Sequence, residues 1–331
     1  MRLSAFLLLC ACSSGLDPHA APWQRVTSAG PPARWGHAAV YDAAADRMLV
    51  FAGQSEAGER ADVWSLDLAS ETWTRLATSP GPAPRVNPGA VLDAARNRMI
   101  VAAGRTGAAT LFDDVWALDL STLVWSELPR GPSGRQRPMY TSDHDHAWFY
   151  GGEGLLTVFG DLWELDLPTN AWSHMPNNGD APASRTCGAM AVSQGVVTLN
   201  GGHNLATITD GTWRYEAQHW SRVKTNGGTA AGAHWAYATD TLCDTLYLAG
   251  GDHADNYDTA MTDELRLTGV PSFARVAVSV LPDAHDHASL VFDAARRDLV
   301  LFGGTLADGQ AYLGDTWILQ RASACPWRVR C

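Results

Sequence analysis

One pattern restricts the fold of this chain more than any other: a short run built around Asp-x-Trp returns about every fifty residues. It reads Asp62-Val-Trp64-Ser-Leu-Asp-Leu, Asp114-Val-Trp116-Ala-Leu-Asp-Leu and Asp161-Leu-Trp163-Glu-Leu-Asp-Leu. Altered copies follow as Asp210-Gly-Thr-Trp213-Arg-Tyr, Asp263-Glu-Leu265-Arg-Leu and Asp315-Thr-Trp317-Ile-Leu. The steps from Trp64 to Trp317 are 52, 47, 50, 52 and 52 residues. Upstream of each copy an apolar run ends in glycine, at Gly53, Gly104, Gly151-Gly152, Gly201-Gly202, Gly250-Gly251 and Gly303-Gly304. A second aromatic follows at Trp73, Trp125, Trp172, Trp220, Phe273 and Trp327, so each repeat holds four short strands. A length of 331 residues would otherwise suggest about two domains. A repeat of this period overrides that prior, because each unit buries its faces only by stacking on neighbours.

The chemistry of the strands agrees. The second strand of each unit is a nearly unbroken apolar run, as expected where both faces are covered by neighbouring sheets. The third alternates Trp and Leu with Ser, Asp or Glu, which predicts a half-exposed strand. Glycines close the apolar runs where the backbone must turn sharply beside other chain. Fourteen tryptophans, an unusual number, are mostly the paired strand markers of these units.

The Gly-Gly doublet followed by a spaced aromatic pair resembles the kelch repeat, over residues 22 to about 328. The resemblance implies an all-β fold: a six-bladed kelch-type β-propeller with four antiparallel strands per blade, formed by residues 22–331 as one domain with a C-terminal tail at 321–331. Trp23-Gln-Arg-Val26 is expected to close the ring as an outer strand donated to the last blade, with Trp327-Arg-Val329 competing for that place.

Composition narrows the function. With 24 Lys and Arg against 35 Asp and Glu, the chain carries a formal charge of −11, which repels nucleic-acid phosphates and anionic membranes. Apolar residues make up 46% and charged ones 18%, which excludes a chain kept disordered by self-repulsion. At the N-terminus, Met1-Arg2, the apolar run Leu3 to Leu9 and Cys10-Ala-Cys12-Ser-Ser-Gly15 read as an export signal too short to span a bilayer. Leu9-Cys10-Ala11-Cys12 resembles the bacterial lipobox. That implies a signal peptide at 1–11, lipidation on Cys12 as the first mature residue and a polar tether over 12–21. The expected location is the bacterial cell envelope, as an outer-membrane lipoprotein or else periplasmic or secreted, with the membrane touched only through the lipid.

Loops that enter the inner strands and loops after the glycines emerge on one face of a propeller, the upper face. His37, His234 and His287 each lie 16 residues before Gly53, Gly250 and Gly303, and are read as equivalent positions of blades 1, 5 and 6. His203, Asp252, His253 and His285 join them, whereas blades 1 to 4 begin with Arg34, Arg85, Arg135 and Arg185. The expectation is an upper mouth with a histidine arc and an arginine arc. The imidazoles either hold neighbouring backbone, contact a ligand or ligate a metal. The arginines either tie blade to blade or take a carboxylate. His144-Asp-His146, on the opposite face, reads as a solvated turn. Cys187 and Cys243 are expected at opposite ends of neighbouring inner strands, too far apart to bridge. Cys325 and Cys331 are expected to form a disulfide in the tail.

The main reading is a binding module that receives a protein or carbohydrate ligand at the upper mouth without a cofactor. The alternative is an enzyme acting on a carbohydrate or small acid at the same place, in the manner of the six-bladed sialic acid epimerases or of kelch-like oxidases. The sequence shows neither family's catalytic pattern residue by residue.

Overall fold

The structure is a computed structural model that describes residues 22–320, apart from 228–230, 254–261, 277, 279–281, 284 and 307–310. Cys12, the tether, Trp327, Cys325 and Cys331 therefore lie outside the described residues. Six sheets hold four antiparallel strands each, to which the fourth adds a short parallel edge strand, Asn178–Gly179, and apart from the last strand of the sixth they run in sequence order from the centre outward. The inner strands are Ala38–Asp42, Gly89–Asp93, Met139–Ser142, Ala189–Ser193, Ala236–Asp240 and Ser289–Asp293. Each touches the next, and the sixth touches the first, so the sheets follow one another in a circle. The outermost strand of the sixth sheet is Trp23–Arg25, paired antiparallel to the third strand of that blade from Trp23↔Leu319 to Arg25↔Trp317. Among the described residues no helix is long and apolar enough to cross a membrane.

The second strands bury every residue after their first, as in Arg47–Phe51, Arg98–Ala102 and Val196–Asn200. The cores lie between blades. Met48, Val50 and Leu66 of blade 1 pack against Val291, Val300 and Phe302 of blade 6. The third strand differs from expectation. Val63, Ser65 and Leu66 are all buried, because the strand is flanked in its own sheet and covered by the neighbours on both faces. The alternation belongs instead to the fourth strand, where Trp73 and Trp220 face inward between exposed residues.

The recurring Asp and Trp form a clamp with the arginine that precedes each inner strand. Arg34 holds Asp62 through two nitrogens at 2.7 and 3.1 Å, Arg85 holds Asp114 at 2.7 and 2.8 Å, and Arg135 holds Asp161 at 2.7 and 2.9 Å. The same arginines donate to the carbonyls of Ala52, Ala103 and Gly151, each at 2.9 Å. The indoles of Trp64, Trp116 and Trp163 donate to the second oxygen of the same carboxylates at 2.8, 2.8 and 2.7 Å. This satisfies the buried charge with several donors, the condition under which such a pair is tolerated in a core.

The doublet glycines seal one blade to the next. Gly53, Gly104 and Gly152 donate their N–H groups to the carbonyls of Arg85, Arg135 and Arg185 at 2.9, 2.8 and 3.1 Å. At Gly151 a Cβ would lie 2.1 Å from the Arg185 carbonyl oxygen, so no side chain fits there.

Candidate functional site at the upper mouth

Two positions before each inner strand the chain takes a left-handed turn, at Gly36, Asn87, Arg137, Cys187, His234 and His287, with φ of 58, 57, 53, 58, 57 and 53°. The turn aims backbone around the channel: Gly36 N–H donates to the His287 carbonyl, Asn87 to Gly36, Arg137 to Asn87 and His234 to Cys187, at 2.6 to 3.2 Å. These six residues line a cavity of about 90 Å3 together with Tyr140, Trp235 and Tyr237. The cavity opens to solvent, so it admits one end of a ligand whose remainder stays outside.

His37 is therefore not equivalent to His234 and His287. It stands one residue further on and still borders the same cavity, but a slip of one residue turns its ring against blade 6 rather than toward His234. It is buried edge-on to Phe302, with ring centroids 5.0 Å apart. Burial, followed by the charge of Arg34, drops its pKa to about 3, so it is neutral. His285 falls on the arginine position instead. Its Nδ1 approaches the Gly303 carbonyl at 2.6 Å, as the arginines do in their blades, while its Nε2 stays 3.9 Å from Asp315.

The arginine arc is likewise corrected. Arg34, Arg85, Arg135 and Arg185 are buried inside their own blades, out of reach of a ligand in the mouth. Arg185 lacks the carboxylate. It donates to Gly201 O and Thr209 Oγ1 at 3.0 Å each and stacks over Trp213 at 4.1 Å.

The remaining residues do converge. His203 Nε2 lies 3.1 Å from His234 Nε2, and Cys187 Sγ lies within 4.8 Å of a ring nitrogen of each. His234 Nδ1 meets Asp252 at 2.7 Å and lies 3.8 Å from Asp286 Oδ1. His287 Nδ1 meets the other Asp286 oxygen at 2.8 Å and its ring stacks on His234 with centroids 4.2 Å apart. Arg137 reaches Glu153 at 3.2 Å, and Glu153 Oε1 sits 4.0 Å from His203. His253 is described by its backbone, which pairs with Gly232. His144 and His146 form a turn with Asp143 and Asp145 in which His144 is exposed, on the opposite face.

Sequence reasoning missed Arg137, Glu153 and Asp286, and treated Cys187 only as a bridging partner. Alignment on the first residue of each inner strand would have placed Cys187 and Arg137 beside His234. Cys187 is free, whereas Cys243 is disulfide-bonded, so no bridge joins the two.

The electrostatics of the cluster are strongly coupled. Burial alone would push the Cys187 thiol up, but the charges of His234 and Arg137 and hydrogen bonds from His203 and His234 carry it well below the usual thiol range. Burial would pull His234 down, yet the Cys187 sulfur, the Asp252 hydrogen bond and Asp286 raise it well above an ordinary imidazole. Thiol and imidazole thus share one proton as a thiolate and imidazolium pair. Burial first, then the His234 and Arg137 charges, keep His287 neutral, and burial raises Asp286 to about 6.

Two trios bring ligand atoms within 4.8 Å of one another, Cys187 with His203 and His234, and His234 with Asp286 and His287. The hydrogen bonding of the first does not suit a metal. The Leu205 N–H donates to His203 Nδ1 at 3.1 Å, which assigns the His203 proton to Nε2, the nitrogen a metal would need unprotonated.

The architecture is thus a propeller whose mouth gathers a thiol, three imidazoles, a guanidinium and three carboxylates. A model of the KLHDC2/KLHL20/DRC7 kelch-repeats domain matches residues 14–202 and 77–251. The chain belongs to the kelch-repeat family. It is 33% identical over 120 residues to Adagio protein 3 of Arabidopsis thaliana, covering 34% of this chain and 19% of that protein. It is 34% identical over 113 residues to the acyl-CoA-binding domain-containing protein 4 of the same plant, covering 33% and 16%. Adagio-like protein 1 of Oryza sativa subsp. japonica is 31% identical over 113 residues, covering 32% and 18%. The matched segment spans less than a fifth of each of these relatives.

Proposed function

We propose that this chain is an exported, lipid-anchored interaction module that receives a partner protein on its upper face. Kelch domains generally bind protein partners, and the propeller is a rigid base for loops that vary. The observation that carries the reading is three bare leucines on the upper-face loops of two neighbouring blades. Leu155 and Leu156, 60% and 100% exposed, follow the glycine doublet of blade 3, and Leu205, 62% exposed, occupies the same loop of blade 4 next to His203. Among the described residues the other exposed large apolar side chains, Val124, Leu242 and Val270, are scattered singly over the opposite face. Clustered apolar side chains rimmed by polar groups mark interaction surfaces, whereas single ones carry no such meaning. Lipidation of Cys12 would hold the module at the envelope.

A photo-crosslinking residue placed at position 156 in the producing cell is expected to trap a discrete protein adduct, and the same residue at position 242 none. Equal adducts from both positions, or none from 156, would overturn the reading. Cys12→Ala is expected to move the protein from the membrane fraction to the soluble one.

A further inference from the structure

We propose that Cys187, His234 and Asp252 form a thiol nucleophile site that accepts a short acyl group from an ester or thioester. This goes beyond partner binding, and its assay needs no partner.

The geometry has the three parts such a site requires: a nucleophile, a base within reach and a third group that orients the base. Cys187 is half-buried and lines the mouth cavity. His234 offers Nε2 toward the sulfur because Asp252 holds Nδ1 at 2.7 Å, which fixes that proton on Nδ1. His203 is fixed the opposite way, with its proton on Nε2, by the Leu205 N–H at Nδ1. That proton goes to Cys187 Sγ while His234 is charged, and to His234 Nε2, 3.1 Å away, only when His234 is neutral. Three side chains from blades 4 and 5, and one from the loop after the blade 4 doublet, are therefore oriented by hydrogen bonds rather than free to rotate. Nothing in the propeller architecture requires this. Gly36 and Asn87 occupy the corresponding places in blades 1 and 2 with the same backbone.

The chemistry balances without a cofactor. The Cys187 thiolate attacks the acyl carbon, the C–S bond forms and the carbonyl pair moves to oxygen, which faces the His203 Nε2–H. As the oxyanion collapses, the alcohol or thiol leaves with the proton from His234 Nε2. Neutral His234 then takes a proton from water as it attacks the thioester, a carboxylic acid departs and Cys187 and His234 regain their starting proton. The cavity of about 90 Å3 has room for a short acyl group.

The test uses p-nitrophenyl acetate with the purified full chain. The expected result is a burst of p-nitrophenolate, near one equivalent, with an acetyl group on Cys187 by mass spectrometry. Lys224 is the sole lysine and Cys243 is in a disulfide, and mapping the acetyl group by mass spectrometry separates Cys187 from Cys10, Cys12, Cys325 and Cys331. His234→Ala should slow acylation about a hundredfold, within the range for loss of a general base. Asp252 is a positioning residue, so Asp252→Asn should slow acylation at pH 7 about tenfold and move the midpoint of the Cys187 alkylation profile to higher pH. That profile also feels Arg137, Glu153, His203, Asp286, His287, Tyr140 and Tyr237, which all stay in place. Circular dichroism of each variant checks its fold, and iodoacetamide labelling of the unaltered protein gives a second reading: its rate should stay high below pH 7, where an ordinary thiol slows. Acylation of His234→Ala at the unaltered rate, acetyl groups elsewhere than Cys187, or stoichiometric zinc whose removal alone exposes the thiol would each overturn the proposal.

Discussion

Blades 1 to 3 and blades 4 to 6 share one backbone and fill it with different chemistry. In the first three the clamp of arginine, aspartate and tryptophan is complete, at Arg34, Asp62 and Trp64 and at its two successors. In the other three it decays: Arg185 meets Thr209, blade 5 has Gly232, and blade 6 has His285. In blade 5 the Trp235 ring fills the space, close enough that a Cβ on Gly232 would lie 2.2 Å from it. The entry turns change in step, from Gly36, Asn87 and Arg137 to Cys187, His234 and His287. Reactive side chains have collected where the repeat has given up its clamp, and the fold survives because the glycine seals and the circle of strand contacts persist on both sides.

The comparison predicts a steep order of effects. Removing the clamp where it is complete should be most costly. Arg85→Ala leaves Asp114 partly buried without its partner and is expected to destabilise the protein by about 3–5 kcal/mol, read as a lower urea midpoint. Burial would raise the Asp114 carboxyl, but the Arg85 hydrogen bonds and charge hold it below its ordinary value of 3.8. A depressed carboxylate contributes stability above that value and loses it as pH falls further. The gap between Arg85→Ala and the unaltered protein should therefore narrow in acid. A gap under about 1 kcal/mol at neutral pH would show the clamp to be incidental.

A smaller loss is expected at the entry turn of blade 1. Gly36→Ala adds a Cβ that would lie 2.4 Å from Asn87 Oδ1 at φ 58°, and should cost about 1–3 kcal/mol. A neutral result would mean that the turn relaxes and that the ring of backbone bonds is dispensable. The smallest effect is a gain. His285→Arg restores the missing clamp in blade 6, where Asp315 Oδ1 now has no hydrogen-bond partner, and should stabilise by about 1 kcal/mol. It should leave iodoacetamide labelling of Cys187 unchanged. Altered labelling would show that clamp and mouth are not separable.

The fold was legible because its determinants repeat. Trp64, Trp116, Trp163 and Trp317 mark the same strand by donating to the aspartate two residues before them, and one local hydrogen bond written several times is readable without coordinates. The site was only half legible. His203, His234, His287 and Asp252 stood out as polar groups at loop positions of the period. His37 was misplaced because blade 1, like blade 2, has an alanine, Ala52, where blades 3 to 6 have the first doublet glycine, so counting from Gly53 slipped the register by one. Cys187 was hidden because two of the groups that act on it, His234 and Arg137, lie in other blades. The charge of Arg137 reaches the thiol across fifty residues of sequence, and no local pattern records it. The arginine arc misled for a related reason: the residues repeat faithfully, but repetition reported a structural clamp rather than a surface.

One consequence follows from the strand that Trp23–Arg25 adds to the sixth sheet. It runs antiparallel to Thr316–Leu319, which runs antiparallel to the second strand, so it travels opposite to the inner strand Ser289–Asp293. The inner strand sets out from the mouth, and Trp23 therefore sets out from the far face. A chain moored through residues before Trp23 would lean its blunt underside on the mooring and turn its leucine rim and thiol to the surroundings, like a cup set on its base.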